Sequence, residues 1–226
     1  MLITSGNSMW GTVYDDINKM ALQLNVGDCL TFGSFVPIVD SPDFDIRLPM
    51  LWHVVDRKEN KLKLLSYFFF EHAGYWSLQS DIKAVTWENT EIRRNLNDKY
   101  FYNCFNENER NAILTTDVKT RTADSGYIFT KDKLYVPALE DIENIPDHLK
   151  IGRCWLTERT DTDTSVADLM YCFYWLRDPG ELEDENLVVQ GYADSKLFLD
   201  SIDRISCEVG VRAVMWVDAE KIIECY

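Results

Sequence analysis

Two arginines carry the most pointed chemistry in this chain. Arg177 ends the aromatic-apolar run Tyr174-Trp175-Leu176, and Asp178-Pro179-Gly180 follows it. Arg212 interrupts a second apolar stretch, from Gly210 to Trp216. A guanidinium carries five N–H donors in a fixed fork. Set in an apolar strand, it ties backbone carbonyls and a carboxylate together, or it grips an anionic ligand. Structural use is the favoured reading, with Glu88, Glu109 or Asp178 as candidate partners. Arg93 and Asn97, at i and i+4 on a helical stretch, read the same way. Arg93, Asn97, Arg177 and Arg212 together form the expected polar core.

A second set offers ligand chemistry. Asp161, Asp163 and Ser165 place oxygen ligands at alternate positions, as calcium prefers. However, Val166 stands where a calcium-binding helix–loop–helix needs Gly, and Cys172 where it needs Glu. A solvated polar loop is the favoured reading. Trp155 and the aromatics Tyr171 and Tyr174 flank this loop, and binding residues tend to lie on loops over a rigid sheet. Trp155, Asp161, Asp163, Tyr171 and Tyr174 are therefore the candidate ligand-binding residues.

Other chemistries find little support. Gly-x-Ser-x-Gly, a phosphate loop and His-Glu-x-x-His do not occur in the sequence. The six cysteines form no Cys-x-x-Cys pair, and His53, His72 and His148 are scattered. Several cysteines sit in apolar runs and read as small core hydrophobes. No catalytic residue, metal site or cofactor is called for. The formal net charge of -15 repels phosphate backbones, so nucleic acid is an unfavoured partner. The start shows no basic segment before an apolar one, and no window approaches a membrane span. The expected setting is cytoplasmic or phage-associated.

The positioning elements follow from patterning. Val13 to Leu24 has helical spacing, so residues 1–27 read as an N-terminal helical extension and 28–226 as one domain. Strands are expected at 29–36, 51–55 and 62–70, the last two joined by a loop over 56–61. A helix follows Thr86, capped at Asn89 or Thr90, and another starts at Asn106 with Glu109 completing a capping box. Residues 115–170 read as irregular, with short strands at Tyr127 and Lys133 and a short helix after Pro137. Strands return at 170–176, 187–191, 205–208 and 211–217. Strands at both ends around central helices predict an α+β domain whose terminal strands share a sheet.

The order of these pieces resembles an uncharacterised bacterial family, domain of unknown function 6273. The resemblance rests on Phe32-Gly33, Trp52, Leu64-Leu65-Ser66, Thr86-Trp87-Glu88, Arg93, Leu96-Asn97, Phe105, Glu109, Asp132, Trp175-Leu176-Arg177-Asp178-Pro179-Gly180 and Gly210-Val211-Arg212 through Trp216. Asp178 and Ala213 depart from it, standing where a small residue and a proline are usual. The closing strands look like the core of C-type-lectin-like domains. The resemblance implies a non-catalytic module that recognises a protein or a carbohydrate in a bacterial or phage setting. An enzyme with an acidic or aromatic cleft and an assembly subunit are the alternatives.

Overall fold

The computed structural model describes residues 21–35, 47–75, 85–152, 172–182, 184–191, 197–203, 209–222 and 225. The expected N-terminal extension falls largely outside these residues, as do the strand expected at 205–208 and the calcium-like loop. Ala21 and Leu24 are buried in the core.

The chain is a single α+β domain built mainly from sheets. The first sheet contains β1 (Cys29–Phe35), β2 (Leu48–Lys58), β3 (Lys61–Ser66) and, from the far end of the chain, β11 (Val214–Asp218), in the order β1-β2-β3-β11. All its pairings are antiparallel. The first strands and the last one thus share a sheet. The loop expected over 56–61 is instead continuous strand closed by a tight turn, because Lys58 pairs with Lys61 and Glu59 adopts a φ of 54°. Conversely, β3 stops at Ser66, before the aromatic run Tyr67–Phe70.

Helical structure lies in the middle. A 3₁₀ turn at Trp87–Asn89 leads into α1 (Glu91–Asn95), a π-helical turn (Leu96–Tyr100) and α2 (Phe101–Cys104). Thr90 caps α1, its hydroxyl accepting from the Arg93 N–H. Ile92, Leu96, Tyr100 and Phe101 form the buried face. Asn106 and Glu109 make the reciprocal capping box of α3 (Glu107–Ala112).

The stretch read as irregular contains a regular hairpin, β5 (Thr116–Arg121) with β6 (Tyr127–Asp132). Polar alternation had hidden β5: Val118 and Thr120 turn inward while Asp117, Lys119 and Arg121 face solvent. The strand expected at Lys133 is reduced to one bridge, Tyr135 to Val214. Short helices α4 (Leu139–Ile142) and α5 (Asp147–Lys150) follow. A second large sheet orders β4 (His72–Ala73), β10 (Val209–Gly210), β7 (Cys172–Pro179), β8 (Glu185–Gly191) and β9 (Leu197–Asp203) as β4-β10-β7-β8-β9. Helix α6 (Ala219–Ile222) follows β11. Tyr174, Trp175 and Leu176 of β7 are all fully buried, so this strand is covered on both faces. Among the described residues no helix is long and apolar enough to cross a membrane.

Candidate functional site

The motif arginines are fixed inside the protein. The Arg177 side chain is 3% exposed and donates to the Val136 carbonyl at 2.6 Å and to Asp141 Oδ2 at 2.7 Å. Its guanidinium also lies 5.1 Å from the Tyr135 ring centroid. Asp141 accepts from Lys63 Nζ as well and from the Ala138 N–H at 2.8 Å. Burial pushes the Asp141 carboxyl up, but Arg177 and Lys63 outweigh it and hold the group below its ordinary range. Arg212 is fully buried. It donates to the carbonyls of Ser66 (2.7 Å), Leu149 (3.1 Å) and Lys150 (2.9 Å), and sits 5.0 Å from the Tyr174 ring.

The partners differ from the candidates Glu88, Glu109 and Asp178. Glu88 gives its carbonyl to Arg93, and Glu109 serves the Gly33 and Asn106 N–H groups. Asp178 accepts from the Leu139 N–H at 2.7 Å and so caps α4. Ala213 donates its N–H to the Ser66 hydroxyl at 3.1 Å. Gly210 precedes this stretch because an added Cβ would meet the Phe69 ring at 2.5 Å.

Arg93 and Asn97 make a third knot. Arg93 Nε donates to the buried Asp132 at 2.8 Å, and Asp132 also accepts from the Trp87 indole and the Thr130 hydroxyl. Asn97, in the π turn, ties that turn to the segment after β6 through the Leu134 carbonyl and the Lys133 and Leu134 N–H groups.

Of the candidate ligand-binding residues, Trp155, Asp161, Asp163 and Tyr171 lie outside the described residues. Tyr174 is fully buried beneath Arg212, and burial pushes its phenol pKa up. It belongs to the core rather than to an open surface, because β7 is covered on both faces.

The exposed chemistry gathers elsewhere, in a cleft of about 880 Å³ between β1 and the helices α2 and α3. Among the described residues β1 is an edge strand, and its register slips between Thr31 and Ser34. Gly33 sits in that bulge with a φ of 77°, which suits glycine. The bulge aims its N–H at Glu109 Oε1, 3.0 Å away. An added Cβ there would meet Phe105 Cε1 at 2.7 Å and the Cys104 carbonyl at 2.9 Å. This close approach makes one wall of the cleft. The other wall follows the π turn, an irregularity frequent at functional sites, which carries Lys99 and Tyr100.

Among the described residues three cations line the cleft: Arg47, Lys99 and Arg110. Arg47 bridges the two walls, donating to the Ser34 hydroxyl at 2.9 Å and to the Asn103 carbonyl. The Arg110 guanidinium lies 5.5 Å from the ring of Tyr102, which is 63% exposed. Lys99 Nζ lies 4.8 Å from the Tyr100 ring. Asn103 and Asn106 add polar groups. At the floor, burial drives the Cys104 thiol up to about 11, although Arg47 and Lys99 pull it down. A second exposed aromatic surface is the outer face of the β5–β6 hairpin. Tyr127 and Phe129 stand there beside Lys119, whose Nζ lies 3.7 Å from the Tyr127 ring.

Sequence reasoning missed the cleft because its residues sit on polar helix faces that read as solvated. The Phe32-Gly33 pair with Glu109 was the available signal: a glycine in a strand often marks a bulge or a close backbone approach.

These features define an α+β domain whose motif charges hold the fold, with its open chemistry beside a bulged edge strand. The chain belongs to the family described as Domain of unknown function (DUF6273), whose model matches residues 59–219. The matched stretch includes Lys99, Tyr102, Glu109 and Arg110 but starts after Gly33 and Arg47. No curated protein and no solved structure matches the chain.

Proposed function

We propose that this protein is a non-catalytic recognition module with a C-type-lectin-like core, binding a protein or glycan in a bacterial or phage setting. The observation that carries the reading is the cleft of about 880 Å³ between β1 and α2–α3, with cations, amides and an exposed tyrosine around it. Concave sites with a few placed polar groups are the usual form of a binding site. The carboxylate and the thiol of the cleft are poorly suited to covalent work. Glu109 is already bonded to two backbone N–H groups, and Cys104 stays a protonated thiol at neutral pH. The lectin-like core is supported by the meeting of β1–β3 with the C-terminal β11 in one sheet.

The test is a ¹⁵N–¹H titration of the protein with a library of glycan and peptide fragments. The expected result is saturable shifts at Tyr102, Asn103 and Asn106, with the ligand recovered chemically unchanged. Conversion of a bound fragment to product would replace recognition with catalysis. Saturable shifts confined to another surface would remove the cleft from the reading.

A further inference from the structure

We propose that the cleft beside β1 takes an acidic saccharide, with ring hydroxyls held by amides and carboxylates held by Arg47, Lys99 and Arg110. The inference rests on the recognition reading and narrows it to one ligand chemistry.

Charge is the first argument. The chain carries a formal net charge of -15, yet among the described residues the cleft is lined by three cations and one carboxylate. That carboxylate, Glu109, is buried and accepts from the Gly33 and Asn106 N–H groups. The neighbouring Glu71, outside the cleft lining, accepts from the Tyr100 hydroxyl at 2.8 Å. An anion approaching this molecule is repelled by most of its surface and attracted here. Among the described residues, Arg110 and Lys99 keep donors in hand. Arg110 binds the Phe105 carbonyl through one terminal nitrogen, and a guanidinium has five N–H donors. Lys99 makes one long contact, 3.5 Å to the Tyr100 hydroxyl, from an ammonium with three donors.

Shape is the second argument. Tyr102 presents an exposed ring, and Phe35 and Phe105 add apolar wall. The C–H face of a pyranose packs on such a ring while its hydroxyls reach sideways. Ser34, Asn103 and Asn106 stand where those hydroxyls can be met. A long phosphate backbone fits worse, since it would leave the cleft across an acidic surface. A short chain with up to three carboxylates matches three cations.

The experiment is isothermal titration of the full chain with trigalacturonic acid, with its neutral methyl ester, and with an acidic peptide of similar charge. The acid is expected to bind at least about tenfold more tightly than the ester, a difference of about 1.4 kcal/mol. Its affinity should fall several-fold between about 50 and about 200 mM salt. Lys99→Gln and Arg110→Gln should each weaken the acid more than the ester and so narrow the gap between them. Equal binding of acid and ester would overturn the inference and leave a glycan-recognition module standing. Tighter binding of the peptide would overturn it in favour of a protein ligand. Absence of saccharide binding would overturn it as well, and the fragment titration would then decide the recognition reading by itself.

Discussion

Arginine does opposite things in two regions of this molecule. At the ends of the apolar strands, Arg177 and Arg212 are buried among carbonyls, carboxylate and aromatic rings. Beside β1, the cations Arg47, Lys99 and Arg110 face a cleft, and two of them lie against tyrosine rings. A buried ion is tolerated when its donors are met, and its removal orphans the partners. A cation at a cleft rim costs little to keep and is available to a ligand. The contrast separates the residues that name the family from the residues that would meet a partner.

The largest effects belong to the knots. Arg177→Met leaves Asp141 buried with Lys63 as its remaining charged partner, and should cost about 3–5 kcal/mol. Arg212→Met orphans carbonyls of Ser66, Leu149 and Lys150, and should cost about 2–4 kcal/mol. Lys99→Gln and Arg110→Gln should stay within about 0.5 kcal/mol of the parent. Urea unfolding of the four variants measures this directly, and equal losses in both groups would erase the distinction. Asp141 adds a pH signature. Its folded pKa lies below the unfolded value of about 3.9. Its contribution is therefore full above that value and lost as pH falls through the folded pKa. Asp141→Asn should flatten the acid limb of stability below about pH 4 while lowering stability at neutral pH.

Gly33 gives a middle-sized effect and joins the two regions. Gly33→Ala forces a Cβ against Phe105 and the Cys104 carbonyl at a φ of 77°. The expected loss is about 1–3 kcal/mol, together with weaker ligand binding as the wall shifts. Gly27 is the control, with a φ of 100° and nothing within 4 Å of an added Cβ. Gly27→Ala should carry the backbone cost alone and leave binding intact. If the two variants behaved alike, steric closeness at β1 would not be what shapes the cleft.

The fold was more legible in the sequence than the site. Caps at Thr90 and Asn106 could be read because their partners lie within three residues. The meeting of terminal strands followed from their apolar patterning and position. Strand β5 was missed because five of the six residues of Thr116–Arg121 are polar and its buried face holds just Val118 and Thr120. The partner of Arg177 was missed because Asp141 lies 36 residues away on a short helix, a contact that tertiary packing alone creates. The cleft was hidden for the same reason. Ser34 and Asn103 are bridged by Arg47 across separations of 13 and 56 residues, and no local period encodes that.

The smallest effect is electrostatic and tests whether the cleft cations act where they are drawn. Burial raises the Cys104 thiol to about 11, and Arg47 and Lys99 each oppose that rise by stabilising the thiolate. Iodoacetamide labelling of Cys104, followed by mass spectrometry across pH, should therefore be slow at neutral pH and climb only in strong alkali. Lys99→Gln removes one opposing charge, so the labelling profile should move further up in pH. A simple loosening of the helix would do the reverse, because exposure lowers the pKa and speeds the reaction. Lys119→Gln, on the hairpin face, should leave the profile unmoved. An upward shift specific to Lys99 places its charge over the cleft floor, where an anionic ligand would feel the same field. A downward shift would mean that the side chain supports the helix and contributes no field to the cleft.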